Sequence, residues 1–440
     1  MKFLSVVIGA MYVTGCSGAG GEVGDLSGSS SDPASGAAGA LVGAASAVGG
    51  SGTGAADPAN PADPVGPDRS SFQRLCARGA GGARAAPTVL QSIKIGAARL
   101  SSLQADTIGD NARNGLDDAD PDDGGWDFTI APSATGHTAA ASPTNLFGET
   151  GLGVWAALTG QLAAGRALIT VVDAGVAMQN DPDIDSPPDF LFGVQLARLT
   201  ENPGFAQVAR AHYDAKRTAS GGASGLAALI RDGRHARNED GLIAYDLGWL
   251  TLSAAALDDA FPGAGYAADA DLYAKTVVDD LTATAPDFNL ENPGEAFYVI
   301  GAAWSQVATA WVGDRATFQQ ARTRLLDQQH ANGAWGTSAA QPADDLQSTA
   351  LALQTIALTD RATGRSLAAE LRAARFLLQG QAASGGWPDA SNTELPLIDA
   401  EILLGLALAG SSAGDDGLVP QSPFVVAAAA HHADVASPLP

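Results

Sequence analysis

The chain has 440 residues, a formal net charge of −24, 46% hydrophobic residues and 16% charged residues. With 24 Lys and Arg against 48 Asp and Glu, it lacks the cation excess by which proteins neutralise nucleic-acid phosphates or dock on anionic membrane surfaces. Two cysteines exclude a disulfide scaffold and a cysteine-rich zinc module.

The first predicted element is an export signal. Lys2 is a short positive region, and Phe3–Tyr12 is an apolar stretch of about ten residues, too short for a permanent membrane-spanning helix. Val13-Thr14-Gly15-Cys16 resembles a bacterial lipobox. The resemblance implies cleavage before Cys16, leaving 1–15 as the signal peptide, and attachment of a diacylglycerol to the Cys16 sulfur. It also implies a bilayer as partner through that lipid. Ser17 fits sorting to the outer membrane of a Gram-negative cell. Cys76 is then the remaining thiol.

Residues 16–72 are dominated by Gly, Ala, Ser, Asp and Pro. Such a segment cannot bury enough apolar surface to offset chain entropy, so it reads as a flexible tether. Residues 413–440 read as a flexible tail, and 80–412 as one domain.

Within that domain the chain repeats. Leu325-Leu326-Asp327-Gln328-Gln329-His330-Ala331-Asn332-Gly333-Ala334-Trp335 matches Leu377-Leu378-Gln379-Gly380-Gln381-Ala382-Ala383-Ser384-Gly385-Gly386-Trp387. The two tryptophans lie about 52 residues apart, and a third copy, Asp123-Gly124-Gly125-Trp126, stands about four such periods earlier. Helical periodicity predicts six pairs: 88–104 with 145–161, 165–179 with 188–200, 204–231 (broken at Gly221-Gly222) with 243–259, 268–284 with 294–311, 315–330 with 345–359, and 365–380 with 396–409. The last helix is apolar on most faces, as an inner helix of a closed ring would be.

The Leu-Leu-x-x-Gln…Gly-x-Trp ends, followed by Asp345-Leu346-Gln347-Ser348-Thr349-Ala350-Leu351-Ala352-Leu353, resemble the repeats of the terpenoid cyclase and protein prenyltransferase superfamily. The resemblance implies an all-α fold, an (α/α)6 toroid. Gln329, Trp335, Gln379 and Trp387 are expected to serve the fold, the amides at helix ends and the indoles between repeats. The superfamily's reactive signatures are missing. The nearest match to the cyclase Asp-x-Asp-Asp motif, Pro342-Ala343-Asp344-Asp345, lacks its first Asp, and aromatic residues make up only 6% of the chain. The six histidines, 137, 212, 235, 330, 431 and 432, have no metal-ligand spacing.

Chemistry-bearing residues cluster in the expected outer-to-inner turns. Asp117–Asp127 alternates carboxylates with small residues, a pattern suited to a hard cation such as Ca²⁺, with Asp118, Asp120, Asp122 and Asp123 as the metal candidates. Asp123 occupies the position where an EF-hand requires Gly, and no Glu closes the loop, so this is not an EF-hand. A solvated acidic loop is the alternative. Acids also start the expected inner helices: Asp189, Asp246, Glu295, Asp344, Asp345, Glu394 and Asp399. Each suits ordinary helix capping. In a closed ring they would share one mouth, where Asp345, Glu295 and Asp127 are the candidates for general acid/base work. Tyr245, Trp249, Tyr298 and Trp304 on inner helices, with His137 in the loop after Trp126, are the ligand-binding candidates, although aromatics at helical spacing also make ordinary core.

Three readings follow. The first is an exported, membrane-anchored lipoprotein whose toroid binds a glycan or small molecule at an acidic mouth. The second is a carbohydrate-active enzyme, a polysaccharide lyase or glycoside hydrolase using mouth carboxylates. The third is an isoprenoid or terpene cyclase.

Overall fold

The computed structural model describes residues 89–104, 124–126, 148–156, 166–180, 186–363 and 367–412, all within the unit Asn60–Pro440. They form thirteen helices: α1 Val89–Leu103, α2 Gly148–Ala156, α3 Arg166–Asn180, α4 Pro187–Thr200, α5 Pro203–Ala219, α6 Ala223–His235, α7 Gly241–Ala260, α8 Tyr266–Leu281, α9 Tyr298–Val312, α10 Arg315–Asp327, α11 Leu346–Thr363, α12 Leu367–Gly380 and α13 Pro396–Ser412. Among the described residues there is no strand, only two isolated bridges, Trp335 with Asp345 and Ser338 with Gln341. No described helix is long and apolar enough to cross a membrane.

Two kinds of helix alternate, and their burial patterns say why. α5 buries Phe205, Ala206, Ala209, Tyr213 and Lys216, a single stripe at three- and four-residue spacing. α7 is buried without a break from Gly241 to Ala254, and α9 from Tyr298 to Thr309. A stripe suits a helix lying on a surface, and burial all round requires neighbours on every side.

The contacts meet both needs in an α/α toroid. α2, α4, α7, α9, α11 and α13 each pack against the next, and α13 packs against α2, closing an inner ring of six. Around it, α1 packs on α13 and α2, α3 on α2 and α4, α5 on α4, α6 and α8 on α7, α10 on α9, and α12 on α11 and α13. The outer layer of the third repeat is split in two. Gly221 and Gly222 take φ of 81° and 104°, which no helix accommodates, and the chain restarts as α6.

Because every outer helix precedes its inner partner in the chain, all inner helices begin at one end of the ring. Adjacent turns are joined there: Ala339 N donates to Pro293 O at 2.7 Å and Val299 N to Thr337 O at 3.1 Å. The first and last repeats are joined directly as well. Gln381 Nε2 donates to Ser92 O at 3.0 Å, the Ser92 hydroxyl donates to Gln381 Oε1 at 2.7 Å, and Arg99 grips both oxygens of Glu394 at 2.8 Å. On the inner side, a Cβ on Gly153 of α2 would stand 2.4 Å from Ala400 Cα of α13, so only glycine lets these two helices approach so closely.

Candidate functional site

The repeat motif is fold chemistry. Trp126, Trp335 and Trp387 are buried, and each indole N–H donates to a leucine carbonyl of the preceding outer helix, Leu100, Leu325 and Leu377, at 2.7–2.8 Å. Three glutamines each join their own turn to the next outer helix. Gln104 Nε2 donates to Gly124 O and Thr170 O, Gln329 Nε2 to Gly333 O and Ala369 O, and Gln381 Nε2 to Gly385 O and Ser92 O. Gln381, four residues after Leu377, thus does what Gln329 does, while Gln379 lies exposed. Gln104 and Gly124 are 20 residues apart against 4 in the other two turns, so the Asp-rich segment is an insertion in the first turn.

A polar cluster forms where the inner helices begin. Tyr245 of α7 donates its hydroxyl to both oxygens of Glu149, at 3.1 and 3.0 Å. Glu149 lies in the first turn of α2, and its carboxyl stands beside that of Glu401 in the second turn of α13, where either one, when protonated, can donate to the other. Gln347, in the first turn of α11, donates to Glu401 Oε1 at 3.1 Å, and Gln354 Nε2 holds the Glu401 carbonyl at 2.8 Å. Four inner helices therefore contribute to one group. The positive ends of their dipoles point at it, which helps to accommodate buried carboxyls.

Burial pushes the Glu149 carboxyl up to about 7. The Tyr245 and Glu401 hydrogen bonds work against that shift, and the Asp246 charge reinforces it. Burial pushes Glu401 well above the ordinary glutamate value, aided by the Glu149 charge and by Asp345. Two adjacent buried carboxyls cannot both ionise cheaply, so the pair holds a proton near neutral pH. Beside it, Asp246 is fixed by the buried Arg234, whose Nε and Nη2 donate at 2.7 and 3.1 Å while Nη1 donates to Glu239 at 2.8 Å.

The sequence candidates divide into groups. Tyr245, Trp249 and Trp304 form one buried aromatic stack, with centroids 5.3 Å apart for Tyr245–Trp304 and 5.2 Å for Trp249–Trp304. Tyr245 joins that stack to the carboxyl pair. Tyr298 is buried elsewhere on α9, its hydroxyl donating to Leu290 O at 2.6 Å. Asp345 is half-buried at the start of α11, where its Oδ1 accepts from Ser348 N at 2.7 Å, as a capping aspartate does. Burial raises its carboxyl too. Glu295 folds over its own loop, accepting from Asn289 N and Asn292 Nδ2, and is not part of the Glu149 group. Asp118, Asp120, Asp122, Asp123, Asp127, His137 and Cys16 lie outside the described residues. Among the described residues no group of three or more His, Cys, Asp or Glu is arranged to hold a metal ion.

Sequence reasoning passed over Glu149, Glu401 and Gln347. A signal existed for Glu401: an ionisable residue inside an otherwise apolar helix is rarely buried without a partner. Glu149, in the helix predicted over 145–161, carried the same signal, but its partners lie 96 residues and more away in the chain and could not be read from it.

No protein-family model matches the chain, and no curated protein matches it in sequence. Among solved structures it is similar to a possible member of the GH105 family from Klebsiella pneumoniae, with 12% identity, 76% of this chain and 95% of that chain covered, and a TM-score of 0.45. It is similar in the same degree to a possible GH105 member from Salmonella enterica, with 12% identity, 79% and 99% covered, and a TM-score of 0.45. It is also similar to a type II terpene cyclase from Scytonema, with 16% identity, 74% and 99% covered, and a TM-score of 0.44. Likenesses this distant do not choose between chemistries. The class, an α/α toroid, rests on the closed ring of contacts in this chain itself.

Proposed function

We propose that this is an exported lipoprotein, anchored in a bilayer through Cys16, whose toroid binds a hydroxyl-rich ligand such as a glycan at its acidic end. One observation carries the binding part: α2, α7, α11 and α13 each bring a polar side chain to the group of Glu149, Tyr245, Gln347 and Glu401. A phenol, a primary amide and a half-protonated carboxyl pair offer both donors and acceptors, as sugar hydroxyls require. Exposed groups stand at the same end, notably Asp344, which accepts from Asn332 and pairs with His330 Nδ1 at 2.7 Å. Ca²⁺ in the inserted Asp118–Asp123 segment belongs to the same proposal. The test is a thermal-shift screen against neutral and acidic oligosaccharides. A ligand that binds only the folded protein raises its melting temperature, and Tyr245→Phe and Gln347→Ala should abolish the rise, read against each variant's own unliganded melt. A panel without any rise overturns the reading.

A second reading, hydrolysis or elimination on a polysaccharide, is favoured by the Glu149 carboxyl standing at about 7, a suitable value for a general acid. The two carboxylates of a glycosidase stand about 5–5.5 Å or 6.5–9.5 Å apart. Glu149 and Glu401 share a proton as one coupled pair, so the partner base in this reading is Asp345 or Asp246. Release of reducing ends or of unsaturated uronate, lost in Glu149→Gln, tests it.

A further inference from the structure

The ring has one place where its last repeat meets its first, and buried carboxyls gather on it. On the inner side, α2 and α13 meet backbone to backbone at Gly153 and Ala400, and one residue further along α13, Glu401 reaches Glu149. On the outer side, Glu394 and Asp399 lie side by side next to Gly386, with 0% and 1% exposure, against Arg99 of α1. Asp399 Oδ1 also accepts from Trp387 N at 2.9 Å. Among the described residues, these four carboxyls are bonded to a single cation, Arg99, and it serves the outer pair. Facing the inner pair are Tyr245 and Asp246 from α7, and Asp345 and Gln347 at the start of α11. Asp189 of α4 lies against the first residue of α2, accepting from Gly148 N at 2.6 Å. Lys94 and Arg99 on α1, Asp173 on α3 and Glu370 on α12 are the other charged side chains described on the outer helices next to α2 and α13, apart from the two arginines of α12. No Lys or Arg of the described residues bonds to Glu149 or Glu401.

We propose that closure of the ring is proton-dependent: the Glu149–Glu401 hydrogen bond staples α2 to α13 while the pair holds a proton, and the seam loosens once both carboxyls ionise. The step is a simple deprotonation. The shared proton passes to solvent, the hydrogen bond is lost, and two carboxylates are left in contact. Tyr245 and Gln347 then supply the donors, and Asp246 and Asp345 add repulsion. Ionisation of Asp399 beside Glu394 acts the same way on the outer side. The sign follows from the raised carboxyls. A group that binds its proton more tightly when folded contributes stability that is complete below its unfolded value of 4.5 and is lost as pH rises through the folded value, about 7 for Glu149. This inference does not depend on what the toroid binds.

The test is hydrogen exchange of the full chain at pH 5.5, 7 and 9, corrected for intrinsic exchange rates. Between the lowest and highest pH, amides of α1, α2 and α13 should lose about tenfold more protection than those of α7 and α9. Glu401→Gln and Glu149→Gln, made separately, keep a hydrogen-bonding pair that cannot carry two charges, and should flatten the pH dependence at α2 and α13. Asp399→Asn should flatten only the part at α1. Protection that is unchanged with pH, or lost evenly round the ring, overturns the proposal in the unmodified protein alone, even if a variant fails to fold. Gln variants that keep the full pH dependence overturn it as well.

Discussion

The outer-to-inner turns of the first, fifth and sixth repeats are built differently from those of the third and fourth. In the former, a neutral amide does the work: Gln104, Gln329 and Gln381 each bind a turn carbonyl and a carbonyl of the next outer helix. In the third repeat the position is taken by Arg234, which ties Glu239 of the turn to Asp246 of the inner helix. In the fourth, Asp280 accepts from Asp287 N and Phe288 N at 2.8 and 3.1 Å, and Tyr298 locks the loop to α9. All five solve one problem, holding the chain where a helix ends and reverses: the glutamines and Asp280 do so on main-chain groups, Arg234 on two carboxylates. A glutamine solves it with bonds that do not change with pH. An arginine or aspartate solves it with a charge that needs a matched environment.

The largest difference should follow from removing the central cation. Arg234 is 1% exposed, and Arg234→Ala leaves the buried Asp246 without its cation, while Glu239 keeps Arg237. Breaking a buried ion pair from one side costs roughly 3–5 kcal/mol. Urea denaturation should therefore show a large fall in midpoint. A fall no greater than that of a glutamine variant would mean that the two kinds of turn are energetically equivalent.

Next comes the glutamine at the seam. Gln381→Ala strands the Gly385 carbonyl and the Ser92 hydroxyl and removes the second bond to the Ser92 carbonyl, which α1 also holds, at a cost of roughly 1–3 kcal/mol for unsatisfied buried groups. Gln329→Ala strands the Gly333 carbonyl and removes the second bond to the helical Ala369 carbonyl, but within the ring rather than at its closure. The Gln381 variant should lose more, and exchange measurements should locate its loss in α1 and α13. Equal losses would show that the seam is no weaker than any other joint.

This contrast also governs what the sequence revealed. The glutamine turns repeat because their partners are main-chain groups at fixed offsets, so Leu-Leu-x-x-Gln…Gly-x-Trp marks the helix ends, and the six pairs follow from it and from periodicity. Even there the side chain was easy to misassign. Gln379 and Gln381 are two residues apart, and only the second points between repeats. The ionic turns carry no motif, since Arg234, Glu239 and Asp246 meet by geometry. The carboxyl pair is less legible still. Glu149 lies in a predicted apolar helix, and its meeting with Tyr245 and Glu401 exists only because the ring closes. The acidic insertion was conspicuous in composition, but composition does not say what its carboxylates face.

The smallest expected effect sets both devices within a single helix. α10 begins under Asp314, whose carboxylate accepts from Ala316 N and Thr317 N at 3.1 Å and from the Thr317 hydroxyl at 2.7 Å, and the turn after α10 is closed by Gln329. The Thr317 hydroxyl and N–H hold the Asp314 carboxyl below the ordinary aspartate value. Its contribution is therefore present above the unfolded value of 3.8 and is lost as pH falls through the lowered folded value. Asp314→Ala should cost about 1 kcal/mol at neutral pH, as removal of a helix cap does. The cost should shrink steadily as pH falls below the unfolded value. Gln329→Ala has no titrating group to lose, so its cost should be the same at both pH values. Denaturation of the two variants at neutral and acid pH measures this directly. An Asp314 effect that persists undiminished in acid would mean that the cap acts through the shape of the turn rather than through its charge.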